Sequence, residues 1–250
     1  MEKPGVPRPS IEDIWRVPKD VWRSRKALDA GDLARARQLA APLLERYGSV
    51  TFIRKLAGEV LYASGDPLSA AALFERVVRK RPADRGAVIG LVASYAALNR
   101  AGDARRSAAL LPDDVDVRLA YAWGELVALG GDRDQGERLV AALAADATLR
   151  DSRERIAMHS ALRGIVAARA RDTVAVRERL REAERAAPKL RASDRAFLGY
   201  LGGVALREAG LIDDARKTFG LAMAASPDSI GAALARREAA NLDSPFPQSG

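Results

Sequence analysis

Residues 52–84 read FIRKLAGEVLYASGDPLSAAALFERVVRKRPAD. Before Ser64, the apolar positions Leu56, Ala57, Val60, Leu61 and Ala63 recur at helical spacing. After Pro67, Ala70, Leu73, Phe74, Val77 and Val78 do the same. The two predicted helices meet at Gly65-Asp66. Glycine accepts positive φ without a Cβ penalty and so ends the first helix. Asp66 can accept from the free amides of the second helix, Pro67 suits its first position, and Pro82 stops it. Gly58 adds no side chain where the two helices would cross closely.

The rest of the chain varies this hairpin. A turn at Gly31-Asp32 lies 34 residues before Gly65-Asp66, with Ala36 matching Ala70 and Leu43 matching Val77. A third hairpin follows 34 residues later, with Leu91, Tyr95 and Ala104 in register and Asn99 at the turn. Its second helix is expected over Asp103 to Leu111, before Pro112. A fourth hairpin places Gly124 at the crossing and Gly131-Asp132 at the turn. The fifth carries Gly164, Val176, Leu180, Ala183 and Pro188, with Arg171-Asp172 replacing Gly-Asp. The sixth is clear again in Gly203, Leu206, Gly210, Ala215, Phe219, Ala222 and Pro227. Residues 229–242 then read as one more helix with an apolar face, as the end of a stacked array requires.

The order Gly58, Leu61, Ala70, Phe74, Val77, Pro82 resembles the tetratricopeptide repeat, a helical hairpin of about 34 residues. Arg54 stands where that family often has a large early residue. The resemblance spans residues 17–227 and is tightest in the second and sixth hairpins. It implies an all-α, right-handed solenoid of about six hairpins with a capping helix. The expected organisation is a flexible Pro-rich leader over 1–18, the array over 19–242, and a disordered tail over 243–250. The apolar side of Ile11, Ile14 and Trp15 in the leader is expected either to fold back or to dock elsewhere.

Composition narrows the chemistry. There is no cysteine, which excludes disulfides and thiolate metal sites, and His159 is the lone histidine. No Gly-rich phosphate loop is visible, and the pairs Asp113-Asp114 and Asp213-Asp214 sit at helix starts, where the dipole favours carboxylates. The expectation is a protein that is not an enzyme and needs no cofactor or metal. No apolar run approaches the ~18 residues of a membrane span, and the N-terminus shows no apolar signal core. A cytoplasmic location follows as an expectation. The net charge of +8 is concentrated between Arg150 and Arg195, where 13 basic residues meet 7 acidic ones.

In the family this chain resembles, the first helix of each hairpin lines a concave face. By register, that resemblance places Phe52, Lys55, Glu59 and Tyr62 there, followed by Ile89, Arg118, Tyr121 and Glu125. Met158, Ile165, Phe197, Tyr200 and Arg207 complete the set. Aromatic side chains with a few charges suit an extended peptide or an amphipathic helix of another protein. The family's carboxylate clamp is not matched beyond Lys55, since Val21, Leu56, Gly86 and Gly90 occupy positions that need polar donors. Two alternatives stay open: nucleic acid or another acidic surface on residues 150–195, and self-association into a scaffold. No aromatic residue is interleaved in that basic stretch, against stacking on single strands. The oligomeric state is not fixed by the sequence.

Overall fold

The computed structural model describes the chain from residue 11 to residue 242. Among these residues lie thirteen α-helices, packed in sequential pairs. The first pair is α1 (Ile11–Asp29) with α2 (Leu33–Tyr47), followed by α3 (Thr51–Ala63) with α4 (Pro67–Lys80). Next come α5 (Arg85–Ala97) with α6 (Ala101–Ala108), and α7 (Val115–Val127) with α8 (Arg133–Leu143). The last pairs are α9 (Arg153–Arg169) with α10 (Thr173–Ala186), and α11 (Ala192–Glu208) with α12 (Ile212–Ala225). The single helix α13 (Ile230–Leu242) closes the series against α11 and α12. α6 starts and stops earlier than the sequence spacing suggests.

The turns follow one chemical recipe. Gly31, Gly65, Asn99, Arg171 and Gly210 take positive φ between 57° and 80°. In each case the next amide bonds back to a carbonyl in the preceding helix, as Asp66 N–H does to Leu61 at 2.9 Å. Asp32, Asp66 and Asp172 then cap the following helix through their carboxylates. The fourth hairpin departs from the expected register. Its left-handed residue is Gly130 rather than Gly131, and the Asp132 amide donates to the Glu125 carboxylate at 2.5 Å.

The odd-numbered helices face inward, and small residues let them approach. A Cβ on Gly58 would lie 2.9 Å from the Phe74 ring, and one on Gly90 would lie closer still. Phe74 is thus seated between α3 and α5 with no room for a methyl on either side. Phe219 meets Gly203 in the same way. The far end of the array comes back toward its beginning. The Arg237 guanidinium donates to the Ala97 carbonyl at 3.0 Å, although 140 residues separate them. Gly65 lies against Ala233, and Arg191 reaches Asp29 at 4.0 Å.

At the N-terminal end, residues 11–18 form the first turns of α1, which continues through Pro18. The expected leader is therefore helical over that part. Its remainder (1–10), the side chains of Ile11, Ile14 and Trp15, and the tail over 243–250 lie outside the described residues.

Gly90→Ala should lower unfolding stability by about 1–3 kcal/mol, because the methyl overfills the Phe74 contact. Gly220→Ala, in open space within α12, should raise it by about 0.5–1 kcal/mol. Urea unfolding of the two variants should shift the midpoint in opposite directions.

Candidate functional site: a concave cavity with a paired rim

Because the odd helices converge, the inner space is a cavity of about 600 Å³. Its apolar wall comes from Leu28 of α1, Tyr62 of α3, Phe74 of α4 and Ile89 of α5. Leu119, Ala120 and Trp123 of α7 continue it, with Met158 of α9, Phe197 and Leu198 of α11 and Ile230 of α13. Trp123 meets Phe197 edge-on at 4.9 Å, and Tyr200 packs behind both rings.

Charged side chains in and beside this wall pair with one another across successive helices. Arg25 of α1 pairs with Glu59 of α3. Lys55 of α3 contacts Asp84, the N-cap of α5, at 3.1 Å. Arg85 at the start of α5 grips Asp114 at 2.5 Å and also Asp116 of α7. Arg155 of α9 holds Asp116 through two bonds of 2.9 Å, and donates to the Thr148 carbonyl at 2.8 Å. Arg191, the N-cap of α11, pairs with Asp194 at 2.8 Å and approaches Asp29 of α1. Glu154 accepts from Ser152. Three arginines and four carboxylates line the cavity, so this surface carries no share of the chain's positive excess.

Of the residues expected on the concave face, Glu59, Tyr62, Ile89, Met158 and Phe197 are brought together in this wall. Burial pushes the Tyr62 hydroxyl above the ordinary phenol range. Lys55 stands beside the wall in its pair with Asp84. Phe52 is exposed at the start of α3, away from the cavity. Arg118 is taken up by Asp146 at 3.0 Å, and Tyr121 accepts from Arg105 at 3.2 Å. Arg207 pairs with Glu238 and Glu208.

Three of the expected face residues are core instead. Glu125, Ile165 and Tyr200 are 0–1% exposed. Glu125 accepts from Arg105 at 3.0 and 2.9 Å besides the Asp132 amide, which is what makes its burial tolerable. Burial, with Glu238 adding, pushes Tyr200 up to about 12.

The register assignment fails most clearly on α7. Its inward stripe is Asp116, Leu119, Ala120 and Trp123, whereas Arg118, Tyr121 and Glu125 turn toward other partners. The i, i+3, i+4, i+7 spacing of that stripe, ending on a tryptophan, was the available signal. Gly86, Gly90 and Phe74 also line the cavity; the sequence marks Phe74 as an apolar repeat position and the two glycines only as places where a carboxylate clamp lacks its donors.

His159 donates its Nε2 proton to the Val140 carbonyl at 2.9 Å. Burial lowers its pKa, so it is a neutral core histidine. Among the described residues, no cluster of three His, Cys, Asp or Glu side chains could hold a metal ion, and no helix is long and apolar enough to cross a membrane. In the 150–195 region, Arg155, Arg163, Arg169, Arg177, Arg179 and Arg191 each lie in an ion pair. No protein-family model matches the chain, and comparison with curated proteins finds no match.

Asp116 offers a pH test of the rim. Burial alone would raise its pKa, but hydrogen bonds from Arg155 and Arg85 outweigh that and hold it below the usual carboxylate value. A depressed folded pKa adds stability that is present above the unfolded pKa near 4 and lost as pH falls through the folded value. Asp116→Asn should therefore cost about 1–2 kcal/mol at pH 7. The gap between variant and wild type should shrink as acid protonates Asp116, as measured by urea unfolding at pH 7, 4 and 2.5.

Proposed function

We propose that this chain is a non-enzymatic binding protein of the tetratricopeptide-repeat type. On this reading it is a right-handed array of six hairpins capped by α13, and it holds a segment of another protein in its concave interior. The observation that carries the reading is the cavity itself: all six odd helices and α13 contribute to one largely apolar wall. A self-contained protein core would fill such a space, whereas interiors are normally packed with few voids larger than a water molecule. Concave, mostly apolar sites of 300–1,000 Å³ with a few polar groups are the usual form of a binding site. Partner recognition by buried aromatic anchors suits Trp123, Phe197 and Tyr62.

The alternative of an acidic partner on residues 150–195 draws less support. Six of its basic side chains already have carboxylate partners, and their release would cost part of what a phosphate gained.

The test is a photo-crosslinking amino acid, p-benzoylphenylalanine, placed at Ile89 in the wall and, separately, at Leu68. Leu68 is 65% exposed on α4 and does not line the cavity. In cells, Ile89 should trap a protein that Leu68 does not, with the crosslink mapping to an apolar stretch of that protein. Identical capture from both positions, or none from Ile89, would refute the segment-binding reading.

A further inference from the structure

Unpaired positive charge is most concentrated at the end of α4. Arg76, Arg79 and Lys80 in its last turns and Arg81 just past them are all exposed. Among the described residues, no ion pair or side-chain hydrogen bond engages any of the four. The nearest carboxylates along the chain are occupied: Glu75 accepts from the Tyr95 hydroxyl, and Asp84 accepts from Lys55 and from the Ala87 amide. On α10, by contrast, the arginines alternate with Glu178, Glu182 and Glu184. A helix C-terminus attracts cations, yet like charges three and four residues apart repel, as Arg76 must with Arg79 and Lys80. The group is held together against its own repulsion.

An exposed ring stands at the same end of this hairpin. Phe52 precedes Gly58 by as many residues as Lys80 follows Phe74, and α3 and α4 run antiparallel through the Gly58–Phe74 contact. Both residues therefore stand about 9 Å beyond that crossing. Phe52 is 51% exposed, and neither it nor any of the four cations lines the cavity. An interfacial membrane anchor needs a broad apolar face beside its cations, and a protein interface an apolar core. Between Ala72 and Arg81 the exposed side of α4 offers neither. Cations that follow phosphates, with a free ring for a base to stack on, are the features that hold a single nucleic-acid strand. Arginine suits the phosphate because its planar fork bonds two oxygens at once.

We propose that this end of the second hairpin binds single-stranded nucleic acid, with Arg76, Arg79, Lys80 and Arg81 on the phosphates and Phe52 on one base. The site goes beyond the segment-binding reading and is independent of it, since the cavity takes no part. It also differs from the basic stretch that the sequence singles out, residues 150–195, where charge is largely paired.

The probe is a fluorescein-labelled 12-mer of oligouridylate, mixed with the full chain and followed by anisotropy at 50 and 200 mM NaCl. Wild type should lose about 50-fold in affinity between the two, as when about four phosphates are neutralised on a single strand. Arg79→Gln with Lys80→Gln should weaken binding at 50 mM at least ten-fold and cut the salt loss below ten-fold. That variant should melt no lower than wild type by circular dichroism, because repulsion is relieved. Phe52→Ala should weaken binding at least five-fold with the salt loss unchanged. Arg181→Gln with Arg185→Gln, on α10, should stay within two-fold of wild type. Full affinity in the α4 variant, or an equal loss in the α10 variant, would overturn the site. A lowered melt in the α4 variant would mean that the cations serve the helix end, and would overturn it too. Full affinity in Phe52→Ala, or tighter binding of a 12-bp RNA duplex, would overturn the single-strand assignment. Equal competition by a 12-residue polyglutamate would reassign the patch to an acidic protein, and sedimentation with phosphatidylserine vesicles in place of oligouridylate binding would reassign it to a membrane. Either result overturns the inference.

Discussion

The contact on which the array depends is Phe74 between Gly58 and Gly90. One aromatic ring from α4 touches two first helices at once, and each helix meets it with bare backbone. The separation of α3 and α5 is therefore set by the thickness of a phenyl ring, with no side chain to widen it. Phe219 against Gly203 applies the same constraint in the last hairpin, and Ala96 Cβ, 3.2 Å from the position a Gly124 Cβ would take, a looser one in the fourth. Dispersion at these crossings is efficient because so many carbon atoms reach contact distance together. The alanine-rich, aromatic-poor composition is the sequence-level trace of that geometry.

Local chemistry made the helices and turns readable. Gly or Asn at the left-handed position and Asp immediately after it are demanded by backbone sterics and unpaired amides, which act within a few residues. Gly31 and Gly65 follow both parts of the rule, Asn99 and Gly210 the first with Arg100 and Leu211 after them, and Arg171 the second through Asp172. The exception is instructive. At Gly130-Gly131 two glycines compete for one conformational role, and the choice is made by Glu125, whose carboxylate takes the Asp132 amide. A decision that depends on a buried charge seven residues away, itself held by Arg105 on α6, is not local.

The inward face was harder to read for a related reason. Carrying one register through every first helix assumes that each presents the same stripe, yet a rotation of one residue turns a helix by 100°. On α3 the assignment brings Glu59 and Tyr62 to the cavity, but on α7 the wall is Leu119, Ala120 and Trp123. Tyr121 and Glu125 are drawn aside by Arg105, an interaction between neighbouring hairpins with no signature in either helix alone. Tyr200 sits in register and yet is fully covered, because α13 and the Trp123 ring close over it. Such covering depends on contacts between distant parts of the chain, as where Arg237 meets Ala97 and Gly65 meets Ala233.

Charge completes the argument about what the interior can recognise. A chain with eight excess positive charges would ordinarily be expected to present them where it binds. Here the inner surface has as many carboxylates as it needs to satisfy its arginines, and the pairs run from helix to helix around the cavity: α1 to α3, α3 to α5, α5 to α7, α7 to α9. Pairs of this kind add little stability one at a time, because each sacrifices hydration to form. Their effect is on position: each fixes the register of one helix against the next. What the wall offers besides these pairs is apolar surface, to which α5 contributes Ile89 and, through Gly90, access for the Phe74 ring.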